Sequence, residues 1–362
     1  MKVLHVITSL ATGGAEKLMV DLLPELNKKG IECDLLIFDG TITPFRKKLE
    51  KRGIRIIDFG IGSKPYNPFN LFNLIPIISR YDIIHTHNTA PQLFVPIANI
   101  FYHKILVTTE HSTENRRRSI KWIKPIDKWM YARYHKIIAI SDKTKIHLSK
   151  YLPSLQTPIS TIPNGISLKE YKHVKGDQNI INSYPGIVKL FMVAGFRWQK
   201  DHKTVIDAMM YLPAHYHLFF VGNGETKVEN ERYVEYLGLK KRIHFLGVRT
   251  DVPKLLSTAE VCILSSHSEG FGLAAVEAMA AGKPVIASNV PGLAEVVRNA
   301  GILFEAGNSR QLAEKIVEIT NNPELYLTIV HQEEIRANEF SISRMADDYT
   351  QVYNNLLEAP EK

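Results

Sequence analysis

Two carboxylates bracket the stretch of this chain best suited to chemistry. It reads Ser268-Glu269-Gly270-Phe271-Gly272-Leu273-Ala274-Ala275-Val276-Glu277-Ala278-Met279-Ala280-Ala281-Gly282-Lys283-Pro284. Its first half has two glycines around a phenylalanine, which is loop chemistry. Leu273 to Ala281 is built of helix formers, and Gly282 with Pro284 closes it. Short apolar runs on either side, 261–264 and 284–287, read as buried strands. Glu269 therefore falls on a strand-to-helix loop and Glu277 inside the helix. The amides of Phe271 to Leu273, at the start of that helix, have no intrahelical acceptor and form a natural seat for an anion. A carboxylate beside such a seat repels the anion unless it binds hydroxyls instead. Ribose and hexoses supply hydroxyls. The stretch thus suits a nucleotide-sugar, with the diphosphate on the helix end and one polyol at each glutamate.

Other polar clusters recur where strands should end. They are Gly13-Gly14, His85 with His87, His111, Arg197 with Lys200, and Gly222 with Gly224. The elements that must position them alternate. In the first half, strands are expected at 2–9, 32–38, 54–59, 82–87, 104–110 and 136–140, with helices at 15–29 and 45–52. The segment 157–165, with Pro158, Pro163 and Asn164-Gly165, reads as turn. The polar stretch 169–183 reads as an interdomain connection. A second alternation follows, with strands at 188–194, 217–221, 243–246, 261–264, 284–287 and 301–304 and a last helix at 341–357. This pattern predicts α/β architecture with two doubly wound parallel sheets, 1–168 and 169–340, the last helix packing back on the first. Ligands of such sheets bind beyond the carboxyl ends of the strands, so the clusters point to one interdomain cleft.

Composition narrows the class. The 362 residues suit two domains. No apolar run is long enough for a membrane span, and the N-terminus runs straight into a strand rather than a signal peptide. Two isolated cysteines, Cys33 and Cys262, suit a reducing compartment, so a cytoplasmic location is expected. No Asp-x-Asp pair and no Cys/His zinc pattern occurs, so no metal and no cofactor is expected. The net charge of +8 is uneven: residues 1–180 hold 27 Lys/Arg and 15 Asp/Glu, and the remainder 18 and 22. Residues 115–136 concentrate eight basic residues against Asp127, interleaved with Trp122, Trp129 and isoleucines. Such a segment suits peripheral attachment to an anionic membrane face, or a solvated basic helix with its aromatics turned inward. Pro125 should divide it into two short pieces. No RNA-binding module is present, and no nucleic-acid partner is expected.

With these residues in place, the chain resembles the retaining glycosyltransferases of family 4, which have the GT-B fold. The resemblance spans nearly the whole sequence. It rests on Gly13-Gly14-Ala15-Glu16, Pro163-Asn164-Gly165-Ile166, Gln199-Lys200-Asp201-His202, Phe245-Leu246-Gly247 and, above all, the Glu269/Glu277 block through Ile286. It implies that Glu277 holds the donor ribose and Glu269 the transferred sugar. It implies that amides of Gly270, Phe271, Gly272 and Leu273 meet sugar and diphosphate, and that Lys200, helped by Arg197, neutralises the leaving group. His111 would lie near the transferring carbon. Gly13 and Gly14 would let backbone approach the donor and the acceptor. Outside the resemblance, Gly222 in Gly222-Asn223-Gly224 reads as a donor contact or a plain turn, and His85 and His87 as strand-end packing or acceptor-side polarity, with His87 the better candidate. The family's arginine usually stands five residues before the lysine, where this chain has Gly195; Ser167 and Glu260 replace two customary aspartates. The implied activity is transfer from a nucleotide-sugar, UDP before GDP, to a saccharide or lipid-linked acceptor in surface polysaccharide or glycolipid synthesis. A sugar-nucleotide epimerase, a non-catalytic nucleotide-sugar binding subunit and, more remotely, a sugar phosphorylase are the alternatives.

Overall fold

A computed structural model describes residues 1–11, 13–113 and 116–359. The chain divides into two compact units, Met1–Gly165 with the segment from Ile342 onward, and Ile166–Ser341. The first unit is a seven-stranded sheet made of β1 (Lys2–Ile7), β2 (Glu32–Ile37), β3 (Arg55–Asp58), β4 (Ile83–His87), β5 (Ile105–Glu110), β6 (Lys136–Ala139) and β7 (Ile159–Thr161). Every pairing is parallel, in the order β3-β2-β1-β4-β5-β6-β7. The second holds β8 (Val188–Val193), β9 (Tyr216–Val221), β10 (Ile243–Phe245), β11 (Val261–Leu264), β12 (Val285–Ser288) and β13 (Ile302–Phe304), again parallel, in the order β10-β9-β8-β11-β12-β13. Each order reverses direction once, at β1/β4 and at β8/β11. Chain connections there leave to opposite sides, opening a crevice at the carboxyl ends of those strands.

The strands form because they are short β-branched and aromatic runs covered on both faces. In the first unit, Leu18, Leu22, Leu23 and Leu26 of the Gly14–Lys28 helix pack against one side of the sheet. Met345, Ala346, Tyr349 and Tyr353 of the C-terminal helix, Ile342–Glu358, join the same core. That helix lies more than 300 residues from β1, yet Lys29 ties it to the first helix through Asp347 (2.6 Å).

Two expectations need correction, at 159–161 and 169–183, and a further helix joins the expected elements. Residues 159–161 are a strand: Ile137 pairs with Ile159, and β6 supplies the template that overrides flanking prolines. A helix, Phe69–Ile78, occupies a segment whose periodicity predicts no element, because its apolar residues surround it rather than forming a stripe. The stretch 169–183 is not a linker. It packs into the second unit, where Asp177 caps the helix Gln178–Ser183 and pairs with Arg249 at 3.0 Å. The Ser257 hydroxyl donates to Val174 O at 2.5 Å in the same region.

Candidate active site

In the second unit the polar residues gather beyond β8, β9 and β11. After β8 a tight turn brings Arg197 and Lys200 together, the Lys200 amide bonding to Arg197 O at 2.9 Å. Asp201 then caps the helix His202–Ala208 by accepting from the Thr204 amide (3.2 Å), and also accepts from the Ser265 hydroxyl (3.2 Å). The His267 amide donates to Gln199 O at 2.9 Å. These bonds knit the β8 and β11 loops. Their consequence is that Lys200 Nζ meets the Glu269 carboxylate in a half-buried ion pair. Read from sequence, Lys200 and Glu269 serve separate parts of the donor; in the structure they are in direct contact. Arg197 is exposed, as is the adjacent Trp198.

The loop after Glu269 leads into the helix Leu273–Ala280. Gly272 caps it at φ 97° with no side-chain acceptor over the first turn. Gly270 donates its amide to Glu269 Oε1 at 3.2 Å. Phe271 is buried edge-on against Phe340, ring centres 5.4 Å apart, so it anchors the loop. Leu273, the first helical residue, is partly exposed. Glu277 lies on the buried face of the helix. One contributor is absent from the motifs read in the sequence. Gly292 has φ 90°, and a Cβ there would stand 2.4 Å from Glu269 O. Only glycine lets the loop after β12 back up the Glu269 peptide so closely. Its signal is the Pro291-Gly292 dipeptide. Gly222 lies against the Ala194 carbonyl and donates to Gly247 O (2.8 Å), so it serves loop-on-loop packing beside the Arg197–Lys200 turn.

In the first unit, Gly13 caps the Gly14–Lys28 helix directly after β1, in extended backbone that any residue adopts (φ −172°). The space a side chain would need is filled by the end of Glu16. The histidines form one connected group. His5 of β1 stands in register with His85 of β4. His85 and His87 alternate along β4, and alternation puts them on one face. His5 Nδ1 and His87 Nε2 lie 3.0 Å apart, and His87 Nδ1 and His111 Nε2 2.9 Å. His85 Nδ1 is 2.6 Å from the Tyr353 hydroxyl and His85 Nε2 2.7 Å from Thr109 Oγ1. Burial holds all four imidazoles below their ordinary value of 6.5: His5 to about 3, His111 to about 4, His85 and His87 well below it. They are therefore neutral near pH 7. His87 is fully buried and reaches outward only through His111, which is partly exposed.

His5, His85 and His87 are close enough to suggest a metal triad. The geometry opposes it. Their rings stack, with interplanar angles of 10–25°, so their lone pairs do not converge on a point. Both nitrogens of His85 are already bonded to hydroxyls.

The basic segment forms two short 3₁₀ turns, Arg116–Ser119 and Lys121–Ile123, then a helix, Lys124–Tyr131, with Pro125 in its first turn. Asn115 lies outside the described residues. Arg118 is turned inward to Glu110 (2.6 Å), and Arg117 pairs with the buried Asp127 at 3.0 Å. Lys124, Lys128 and Arg133 face outward with Trp122, which is 71% exposed, and Ile126.

Comparison with known proteins agrees with this architecture. The glycosyl transferases group 1 profile matches residues 177–334, and the glycosyltransferase family 4 profile matches 12–170. An uncharacterized glycosyltransferase of Methanocaldococcus jannaschii is 31% identical, with 76% of each chain aligned. The chain belongs to this glycosyltransferase family and has the GT-B fold. An Escherichia coli UDP-Gal:α-D-GlcNAc-diphosphoundecaprenol α-1,3-galactosyltransferase is 26% identical over 77% of this chain and 76% of its own. The Anabaena protein HepE, solved with UDP and glucose, superposes with a TM-score of 0.87 at 21% identity, covering 98% of this chain and all of that one. The protein is a glycosyltransferase. Among the described residues no helix is long and apolar enough to cross a membrane.

Proposed function

We propose that the protein moves a hexose or acetamido-hexose from a uridine-diphosphate sugar to a lipid-linked saccharide, with retention of configuration and without a metal. GDP is the second candidate base. The reading rests on one observation: the Lys200–Glu269 pair stands beside the first turn of a helix that has no side-chain cap and that carries Glu277 on its buried face. Breaking the anomeric C–O bond builds negative charge on the departing diphosphate. Lys200, Arg197 and the first-turn amides are the groups available to meet that charge. Such stabilisation usually supplies more of an enzyme's rate enhancement than any other single effect. Glu269, already bound to the lysine, orients it and offers its second oxygen to sugar hydroxyls. Glu277 holds the ribose. Retention follows from attack on the face the diphosphate leaves, with the departing phosphate taking the acceptor proton. No side chain is assigned as nucleophile.

The base and acceptor class draw support from relatives whose names specify UDP-sugars and undecaprenyl-diphosphate saccharides. A lipid-linked acceptor also suits the outward face of Trp122, Ile126, Lys124, Lys128 and Arg133. This face would place the enzyme peripherally on an anionic membrane, with each basic residue adding about 1 kcal/mol near the surface. A thermal-shift panel of nucleotide-sugars tests the donor. Turnover with and without a polyprenyl-diphosphate saccharide, each with and without EDTA, tests the rest. Conversion of donor to its epimer without acceptor would favour the isomerase reading. Activity abolished by EDTA would defeat the metal-free mechanism.

A further inference from the structure

Seven side chains of the first unit form a single file of hydrogen bonds. From the inside outward they are Tyr349, Thr109, His85, Tyr353, His5, His87 and His111. The links are Tyr349 to Thr109 (3.0 Å), Thr109 to His85 (2.7 Å), His85 to Tyr353 (2.6 Å), Tyr353 to His5 (3.5 Å), His5 to His87 (3.0 Å) and His87 to His111 (2.9 Å). Each neutral imidazole has one donor and one acceptor nitrogen, and each hydroxyl one proton. A hydroxyl can accept from both neighbours, but its own buried proton then has no acceptor in the file, so the arrangement that pairs every proton runs in one direction throughout.

The inner end decides which. The Tyr349 hydroxyl is buried, and Thr109 Oγ1 is its one hydrogen-bond partner among the described residues. If the file ran inward, Thr109 would donate to Tyr349 and strand the tyrosine proton without an acceptor. A buried donor left unpaired is the costly error in such networks. Running outward, every proton is used. Tyr349 donates to Thr109, Thr109 to His85 Nε2, and His85 Nδ1–H to Tyr353. The Tyr353 proton then has His5 Nε2 as its acceptor, which makes the longest link obligatory. His5 Nδ1–H donates to His87 Nε2, and His87 Nδ1–H to His111 Nε2.

We propose that this file fixes His111 as its Nδ1–H tautomer, so that the partly exposed end of the chain presents a neutral hydrogen-bond donor. His87 is then a positioning residue, and the C-terminal helix sets the proton state of a residue at the end of β5. The lowered basicity of all four rings supports the neutral file. The functional consequence rests on the glycosyltransferase reading: a donor at His111 can bind any oxygen of the transferred sugar, including those without a proton, whereas an acceptor nitrogen can bind only its hydroxyls.

Long-range ¹H–¹⁵N correlation on the full-length, histidine-labelled protein reads the tautomer directly, with the His111 signals assigned by their loss in His111→Gln. The wild type is expected to show a protonated Nδ1 and a bare Nε2, in at least about tenfold excess. In His87→Phe, His111 should revert to the Nε2–H form that free imidazoles prefer. Transfer kcat should fall about tenfold with donor KM unchanged. His87→Asn, whose amide nitrogen stands in place of Nδ1, should restore both. An Nε2–H tautomer in the wild type overturns the proposal without recourse to any variant, and so does an unchanged tautomer in His87→Phe. Because the spectrum needs no substrate, a protein with the expected tautomer and no transfer activity would count against the enzyme reading and not against the file.

Discussion

The two units carry their chemistry in opposite ways. In the second, charged side chains and helix amides cluster on neighbouring loops, partly exposed, with Lys200 and Glu269 paired at their centre. In the first, three neutral imidazoles stack in the interior and meet a fourth, His111, which is tilted against His87 and alone of the four reaches solvent. The second unit is built to meet developing charge. The histidine group of the first is built to exclude charge and to aim one polar group. A glycosyl transfer needs both, because the diphosphate must be neutralised while the sugar carbon is held in a fixed orientation.

Lys200→Ala puts this contrast under the most severe test. If charge compensation resides in the second unit, kcat should fall by about 10²–10³-fold, with nucleotide binding much less affected. A fall of only a few-fold, measured by donor turnover, would move that role elsewhere. Next in size is Glu277→Ala, which should weaken donor binding about 10- to 100-fold in calorimetry through loss of a hydrogen-bonded carboxylate. Gly292→Ala should lower stability by about 2 kcal/mol, because a positive φ and the Glu269 carbonyl both oppose a Cβ. Gly30→Ala, at a similar φ but with open space around it, should cost about 1 kcal/mol. Equal losses of Tm in the two variants would show that the close approach to Glu269 carries no penalty of its own.

Acid should weaken both units, the first through more buried histidines. The buried histidines of the first unit stay neutral in the fold but take up protons at about 6.5 when unfolded, so the unfolded chain binds more protons below that pH. Their contribution is fully present above pH 6.5. It is lost progressively as pH falls toward the folded values of about 4 for His111 and about 3 for His5. Each contributes a slope of at most about 1.4 kcal/mol per pH unit. His202 and His244 of the second unit, also lowered to about 4 by burial, add the same sign. Denaturant midpoints should be flat above pH 7 and fall steadily below 6. The smallest expected effect is Trp122→Ser, which should reduce binding to anionic vesicles severalfold while leaving solution turnover of a short acceptor unchanged.

The same contrast explains what the sequence made legible. The Glu269–Glu277 block is local, and its glycines, helix formers and flanking strands place it without reference to the rest of the chain. The parallel sheets follow from strand and helix periodicity in the same way. The histidine file could not be read so simply. His5, His85, Thr109 and Tyr353 meet only through strand register and the return of the C-terminal helix, and only the His85-x-His87 alternation hinted at a shared face. The Lys200–Glu269 pair escaped for a similar reason: Asp201, which joins the two loops, looks like an ordinary helix cap. The strand at 159–161 and the packed segment 169–183 depend on neighbours that propensity does not see.

The proposed chemistry requires a nucleotide diphosphate on the amide end of the Leu273–Ala280 helix, with its ribose at Glu277. Isothermal titration of UDP-sugars and GDP-sugars into wild type and Glu277→Gln tests that placement most directly. One activated sugar is expected to bind the wild type with a 1:1 stoichiometry and to lose at least about tenfold in affinity in the variant. Equal affinity in both proteins, or no binding of any nucleotide-sugar to the wild type, would contradict it.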